Sequence, residues 1–176
     1  MSLPDGVRLD ALKVHVDERG WLAEIFRGEW SGLPPVRQWN VTMSDANVLR
    51  GMHVHVKHTD YLTVIKGRIS VAFLDLRPRS RTYRKSALIE LASDRLAALV
   101  IPNGVLHGFY HHDESIYVLG CDRYYSPGED LYCRWNDPAL GIAWPCSNPV
   151  VGERDRTAPT LTEIEAELRR LNVEFS

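Results

Sequence analysis

Short runs of β-branched and aromatic residues, separated by turn-forming pairs, recur along most of this 176-residue chain. Four such runs cover residues 61–65, 69–74, 96–101 and 116–119. Pairs typical of tight turns, such as Lys66-Gly67, stand between them. Many short strands at close spacing indicate a β-sandwich or a barrel, since alternating strands and helices need longer segments. We therefore predict an all-β fold.

The segment 69–76 is apolar at nearly every position. A strand with one face in water alternates apolar and polar residues, whereas a strand covered on both faces does not. We expect this strand to be covered on both faces.

A C-terminal helix is predicted at about residues 160–172. Thr160 or Thr162 can cap its start, and glutamates in the first turn with arginines in the last suit the helix dipole. Apolar residues at helical spacing would form its buried stripe: Leu161, Ile164, Leu168 and Leu171. The length predicts a single domain spanning residues 1–176, with this helix packed against it.

The charge balance argues against binding to nucleic acid. Arginine and lysine number 21 against 23 acidic residues, so the net charge is −2 and no large basic face is implied. No apolar run approaches the roughly 20 residues of a membrane span. Cys121, Cys133 and Cys146 match no disulfide framework, so we predict free thiols in a reducing, cytoplasmic environment.

Histidines are concentrated after residue 50. His53 and His55 would share one face of a strand and Val54 would occupy the other, because strand side chains alternate. Asp60 follows, and the turn at 102–104 would present His107 at the start of another strand. Three imidazoles and a carboxylate suit a divalent transition metal. Three further histidines are expected on the surface or in loops: His58, His111 and His112.

The spacing of these residues resembles the two motifs of the cupin superfamily. The first is HxH followed by an acidic residue and a glycine, and the second is PxGxxH. The acidic position holds Asp60, where cupins usually carry glutamate, and His111 stands where asparagine is usual. The resemblance implies a cupin-type jelly-roll barrel.

Longer motifs extend the likeness to one family. VLRGMH at 48–53 and IPNGVLHGF at 101–109 resemble the VxRGxH and IPxGFAHGF motifs of the dTDP-4-dehydrorhamnose 3,5-epimerase family. Further matches follow in order: DERG at 17–20 with Glu24, QWN at 38–40, DLR at 75–77 with Ser80, YYSP at 124–127, WNDP at 135–138, and Arg154-Asp155 with Pro159. The matches span about residues 17–160, so the chain is identified as a divergent member of this family.

The resemblance implies a homodimer that acts on a nucleotide-diphosphate 4-keto-6-deoxysugar in carbohydrate biosynthesis. Epimerisation at C3, C5 or both would proceed by proton abstraction next to the C4 ketone, without a cofactor. His53 would be the base, and Asp155 would hydrogen-bond to it and raise its basicity. The resemblance also implies a set of substrate-binding residues: Arg19, Glu24, Gln38, Asn40, Arg50, His107, Tyr125 and Arg154.

Two positions depart from the family pattern. Asp60 stands where the family carries a lysine that helps to stabilise the enolate, and an anion there would hinder enolisation. Leu119 stands where the family has its tyrosine acid. Tyr117, two residues earlier on the same strand face, is the candidate replacement, and Tyr124 and Tyr125 remain further donors.

These departures leave two alternatives open. The first is a metal-dependent cupin enzyme, a sugar isomerase or an oxygenase, with a divalent transition metal on His53, His55, Asp60 and His107. His53 cannot be both a ligand and a free base, so in a mixed version the metal has three ligands. The second alternative is a protein that binds nucleotide sugars without turnover, although a pure binder needs no base.

Overall fold

The computed structural model describes residues 2–30, 32–33, 35–126, 128–173 and 175. Pro127, part of the 124–127 motif, lies outside the described residues. The strands formed by the described residues are β1 (Arg8–Ala11), β2 (Val14–Asp17), β3 (Gly20–Ala23), β4 (Gln38–Ser44), β5 (Val48–His55), β6 (Asp60–Lys66), β7 (Arg68–Asp75), β8 (Ser86–Ala92), β9 (Ala97–Ile101), β10 (Val105–His111), β11 (Ser115–Cys121), β12 (Asp130–Tyr132) and β13 (Val150–Val151). Two α-helices follow, α1 (Glu153–Arg156) and α2 (Leu161–Arg170).

Two sheets form the barrel. The first has the strand order β1-β9-β6-β11-β4, and the second has the order β12-β5-β10-β7-β8, with β13 added parallel to β5. The other pairings within these two sheets are antiparallel. Strands β2 and β3 form a separate hairpin. The predicted all-β, cupin-type jelly roll is confirmed.

The main core lies between the two sheets. Leu62 and Tyr117 of the first sheet meet Phe73 and Phe109 of the second in a cluster of buried side chains. A second apolar cluster covers the outer face of the second sheet, where α2 packs against β5, β7 and β10. Strand β7 contributes alternate residues to both clusters. Both of its faces are therefore covered, as the apolar run at 69–76 predicted.

Helix α2 begins after Thr160, whose side chain accepts a hydrogen bond from the backbone of Glu163 in a capping box. Three members of the predicted stripe are buried: Leu161, Ile164 and Leu168. The prediction for Leu171 was wrong, since the residue is 47% exposed. It forms the C-cap, beyond the last full turn, and so leaves the buried face of the helix. None of the described helices is long and apolar enough to cross a membrane.

All three cysteines are free thiols, as predicted. Cys121 and Cys133 are buried, and burial raises the pKa of each thiol to about 12. A thiol with so high a pKa is a poor nucleophile near neutral pH.

Candidate active site

The histidine motif lies on β5 at the interior face of the second sheet. His53 pairs directly with His107 on β10, and their ring centroids are 4.3 Å apart. Val54 points to the opposite face, into the cluster beneath α2. The alternation predicted from the HxH spacing is therefore present, and it directs His53 and His55 into the barrel.

His55 lies between two carboxylates. Its Nε2 is 3.0 Å from Oδ2 of Asp60, and its Nδ1 is 2.6 Å from Oδ1 of Asp130. Asp60 is also approached by Nε2 of His107, at 3.4 Å from Oδ2, and by Nε2 of His58, at 3.4 Å from Oδ1. All five side chains are at most 9% exposed. We call these five residues the His/Asp cluster.

Opposing effects determine the charges in the His/Asp cluster. Burial would lower the pKa of His55, but attraction to Asp60 and Asp130 outweighs burial and raises the pKa to about 10. Burial would likewise raise the pKa of Asp60, but His55, with contacts from His107 and His58, holds that pKa well below its usual range. Without a bound ion, the cluster therefore contains an imidazolium between two carboxylates.

His53 has the opposite charge preference. Burial holds its pKa well below the ordinary value, and repulsion from His107 and His55 lowers it further. Its Nδ1 is buried and has no hydrogen-bond partner among the described residues. His53 is therefore a neutral imidazole that can accept a proton.

Asp155, the residue expected to pair with His53, is buried in α1. Its Oδ2 accepts a hydrogen bond from the backbone N–H of Gly51 at 2.9 Å, and its Oδ1 accepts one from Nε of Arg154 at 2.8 Å. A Cβ built on Gly51 would lie only 3.2 Å from Nδ1 of His53. A side chain at position 51 would therefore crowd the imidazole, and the hydrogen bond from Gly51 ties Asp155 to the strand that carries His53.

Arg154 lies over an aromatic ring at the same side of the barrel. Its guanidinium is 4.1 Å from the ring centroid of Tyr132, a distance suited to a cation–π contact. Tyr132 on β12 pairs directly with His53 on β5, and their ring centroids are 6.4 Å apart. Arg154 and Tyr132 therefore form one wall beside His53.

Neither Tyr132 nor Asp130 was predicted from the sequence. Both lie on β12, which pairs with β5 so that Asp130 is opposite His55 and Tyr132 is opposite His53. The segment Asp-Leu-Tyr has the same alternation as His-Val-His, and this was the available signal. Asp130 and His55 are 75 positions apart along the chain, so alternation alone could not identify the pairing of β12 with β5.

A register shift brings Arg50 to the interior face. The β5–β10 pairing slips between His107 and Gly108, so that Arg50 pairs with Phe109, which points into the core between the sheets. The guanidinium donates from Nε to Oγ of Ser44 at 2.8 Å. Arg50 and His53 consequently share one face of β5 although they are three positions apart.

Strand β4 holds two further predicted substrate-binding residues. Nε2 of Gln38 donates to Oδ1 of Asn40 at 3.1 Å, and Oε1 of Gln38 accepts from the backbone N–H of Tyr125 at 3.0 Å. Asn40 pairs with Leu119 on β11. Gln38, Asn40 and Tyr125 thus form a hydrogen-bonded group at the edge of the first sheet.

Arg19 and Glu24 are not brought to this site within the chain. Arg19 lies at the turn of the β2–β3 hairpin, pairs with Asp17, and has a side chain 83% exposed. Glu24 follows the hairpin and lies 3.6 Å from Arg27, also in an exposed position.

The chain matches a known family model over most of its length. The model describes dTDP-4-dehydrorhamnose 3,5-epimerase and matches residues 2–163. The chain belongs to the dTDP-4-dehydrorhamnose 3,5-epimerase family. This confirms the predicted family and its enzyme class, the isomerases.

Individual relatives agree with this assignment. The chain is 34% identical to dTDP-4-dehydrorhamnose 3,5-epimerase of Methanothermobacter thermautotrophicus, over 90% of this chain and 91% of that protein. It is 33% identical to the enzyme of that name from Neisseria gonorrhoeae, over 93% of this chain but only 52% of that protein. The structure also resembles dTDP-6-deoxy-D-glucose-3,5-epimerase from Legionella pneumophila in complex with dTDP-4-keto-L-rhamnose. The TM-score is 0.87 and the identity is 28%, and the match covers 95% of this chain and 94% of that chain.

Family membership favours the epimerase hypothesis over a metal-dependent isomerase or oxygenase.

The two residues that depart from the family pattern lie in different surroundings. Asp60, at the family's lysine position, starts β6 and is part of the His/Asp cluster. Leu119, at the tyrosine position, is half-buried against the core between the sheets. Tyr117 is 4% exposed and its ring centroid is 5.4 Å from that of Phe109.

The prediction for His58 held in part, since the residue lies in the loop after β5 but is buried there, with its ring centroid 3.7 Å from that of His55. The prediction for His111 was wrong. His111 is also fully buried, because β10 continues far enough for the alternation from His107 and Phe109 to turn it inward. His112 has a side chain 17% exposed and lies 2.8 Å from Oγ of Ser70.

Proposed function

We propose that this protein is an epimerase of nucleotide-diphosphate 4-keto-6-deoxysugars that inverts C3, C5 or both. The observation that carries the proposal is His53, a neutral imidazole inside the barrel whose Nδ1 has no hydrogen-bond partner among the described residues, in a chain that belongs to this epimerase family. The relatives' names specify dTDP sugars, and we extend that substrate class to this chain.

The chemistry requires a base, an acid and a stabilised enolate. The C4 ketone acidifies the protons on C3 and C5, so His53 can remove one of them as a general base. Return of a proton to the opposite face of the same carbon completes the inversion. No organic or redox cofactor is needed, since the substrate's own ketone accepts the electron pair.

Asp155 is proposed to position the base. It binds the N–H of Gly51, two residues before His53 on β5, and so holds the segment of the strand that carries the base. Hydrogen bonds of catalytic groups are often long without substrate and tighten in the complex. A small shift of the carboxylate toward Nδ1 would fix the tautomer of His53 and favour its protonated form.

Tyr117 is proposed as the acid. It lies on β11 in the first sheet, whereas His53 lies on β5 in the second, so a sugar between the sheets would have one group on each ring face. Burial raises the pKa of Tyr117, which keeps its phenol protonated at neutral pH. Leu119 cannot donate a proton.

Substrate binding is assigned to polar groups around His53. Arginine forks match the oxygens of a diphosphate, which suits Arg50 and Arg154 to that part of the ligand. The remaining residues proposed to bind the substrate are His107, Gln38, Asn40 and Tyr125.

The single-domain organisation and the cytoplasmic location stay predictions from the sequence.

A homodimer is proposed to complete the site. The β2–β3 hairpin exposes Val16, Trp21 and Leu22 at 78%, 58% and 63%. Val16 and Trp21 pair across the hairpin and so share one of its faces, and an exposed apolar patch of this kind is typical of an interface. Docked on a second copy, the hairpin would bring Arg19 and the adjoining Glu24 to the partner's site, which accounts for their distance from His53 within one chain.

Conversion of dTDP-4-keto-6-deoxyglucose, followed by proton NMR, tests the proposal. We expect the wild-type protein to produce a C3 or C5 epimer and His53→Gln to be slower by about 10²- to 10⁴-fold, the usual contribution of a general base. His112→Gln is the matched control, because His112 lies outside the site, and it should retain the rate. A His53→Gln rate equal to that of the wild type would contradict the proposal. Thermal stabilisation by the sugar nucleotide without conversion would instead favour the binding protein.

A further inference from the structure

The His/Asp cluster contains polar groups that the proton-transfer mechanism does not use. The side chains of Asp60 and Asp130 are 1% and 8% exposed, and among the described residues neither has a lysine or arginine within 4.0 Å. Their neighbours are the imidazoles of His55, His58 and His107. Two poorly solvated carboxylates surrounded by imidazoles form a donor set whose charge a divalent cation would balance.

Two of these imidazoles are oriented as metal ligands are. Nδ1 of His107 donates to the carbonyl oxygen of Val105 at 2.9 Å, and Nδ1 of His55 faces the carboxylate of Asp130 at 2.6 Å. A histidine that binds a metal commonly donates its other ring N–H to a carbonyl or carboxylate in this way. With a metal bound and each ring proton on Nδ1, both Nε2 atoms would present lone pairs on the side of Oδ2 of Asp60.

A neutral His107 that donates from Nδ1 to Val105 has no proton on Nε2 to share with Asp60. Nε2 of His107 is fully buried and, among the described residues, has no hydrogen-bond partner, yet it lies 3.4 Å from Oδ2 of Asp60. With the ring proton on Nδ1, two electron-rich atoms face each other. A cation between the two atoms would satisfy both.

The separations match those of a coordination sphere. Ligand bonds of about 2.0–2.1 Å place two ligands about 3.0 Å apart at a right angle and about 3.4 Å apart at a tetrahedral angle. The measured distances are 3.0 Å from His55 Nε2 to Asp60 Oδ2 and 3.4 Å from His107 Nε2 to the same oxygen. Ligand atoms of His53, His55, Asp60 and His107 all lie within 4.8 Å of one another.

We propose that a divalent first-row transition metal ion binds Nε2 of His55, Oδ2 of Asp60 and Nε2 of His107. Two imidazoles and one carboxylate suit iron, zinc, manganese, cobalt or nickel rather than magnesium or calcium. His53 is left out because, unlike the other two histidines, it is not within 4.0 Å of a carboxylate among the described residues. It lies beside the three ligands, with its ring centroid 4.9 Å from that of His55.

The site gives the substitution at position 60 a function. In the family pattern that the sequence resembles, this position would carry a lysine that helps to stabilise the enolate. A metal ion held by Asp60 would restore positive charge next to His53, where the enolate oxygen develops. This role, unlike metal binding itself, rests on the proposed epimerase function.

Elemental analysis of the untagged protein, purified without chelators, tests the site. We expect about one transition metal ion per chain, retained after dialysis. Asp60→Asn and His107→Gln should lose it, and Asp130→Asn should weaken binding about 10- to 100-fold, the usual effect of removing an orienting partner. His53→Gln, His58→Gln and His112→Gln should retain it. Circular dichroism of each variant shows whether a loss of metal reflects unfolding.

The outcomes separate metal binding from catalysis. Absence of metal, with none bound after anaerobic reconstitution with iron, zinc, manganese, cobalt and nickel, would overturn the site even if the sugar is epimerised. Loss of metal in folded His53→Gln or His58→Gln would overturn the three-ligand assignment. Bound metal in a protein that epimerises no 4-keto sugar nucleotide would leave the site intact and overturn only its catalytic role.

Discussion

At the scale of single residues, the barrel separates two histidines that are two positions apart. His55 faces two carboxylates and favours the protonated form, whereas His53 faces other imidazoles and stays neutral. The difference comes from neighbours supplied by β6, β10 and β12, since the two residues share a strand and a face. A neutral base beside a polar cluster is the arrangement that enolisation requires.

Replacement of Tyr117 by phenylalanine tests the proposed acid. Without the phenol, protonation on the second ring face should slow, so net inversion should fall by about 10²- to 10⁴-fold. Removal of the proton by His53 should continue, and exchange of the substrate proton with solvent should survive. The measurement compares the two rates by NMR.

Tyr110→Phe is the matched control, because Tyr110 is also buried and its hydroxyl hydrogen-bonds to Asn47, away from His53. Inversion at the wild-type rate in Tyr117→Phe would exclude Tyr117 and make Tyr125 and Tyr132 the next candidates.

The spacing of the sequence predicted the inward-facing histidine pair and its grouping with Asp60 and His107. Strand alternation and turn chemistry are local properties, and they are sufficient for these residues. Asp130 was missed because its proximity to His55 depends on the pairing of β12 with β5. Burial of His58 likewise depends on the path of the loop after β5, which no local pattern specifies.

At the scale of elements, the β2–β3 hairpin is the unit least accounted for by the isolated chain. Both of its strands carry large apolar side chains on exposed positions, and β4 exposes Val41 and Met43 at 72% and 59%. A second copy covering these surfaces would bury them and bring the hairpin to a partner's barrel.

A lysine on the hairpin should disrupt the dimer. We expect light scattering after size exclusion to give about twice the chain mass of 20.1 kDa for the wild type and a single chain mass for Val16→Lys. Val150→Lys places the same charge on β13, where the valine is 61% exposed, and should stay dimeric. A wild-type monomer, or a dimeric Val16→Lys, would refute the hairpin interface.

Helix α2, by contrast, could be predicted from local signals in the sequence. The cap, the charge order and the apolar spacing of α2 all act within one segment, so its start at Thr160 was predictable. Sheet order was not, because the pairing partners of β5 come from β10, β12 and β13 and are chosen by packing between distant segments.

At the scale of the whole molecule, buried neutral histidines should make the fold sensitive to acid. Burial lowers the pKa of His111 to about 4, below its usual 6.5, so the unfolded chain takes up this proton first as pH falls. The free energy of unfolding should therefore decrease between about pH 6.5 and pH 4, by up to about 3 kcal/mol from this group.

Urea unfolding of His111→Gln at pH 7 and pH 4.5 measures that contribution. The variant should lose less stability on acidification than the wild type, whereas His15→Gln, at an exposed position, should behave like the wild type. An unchanged loss in His111→Gln would show that His111 does not titrate as the structure indicates.

Solvent deuterium in the product tests epimerisation most directly. After conversion of dTDP-4-keto-6-deoxyglucose in deuterium oxide, the mass and the proton NMR spectrum of the sugar report on C3 and C5 separately. The account predicts deuterium at each inverted carbon, with none introduced by His53→Gln on the same timescale. Folded, metal-analysed wild-type protein that introduces no deuterium at either carbon would contradict it.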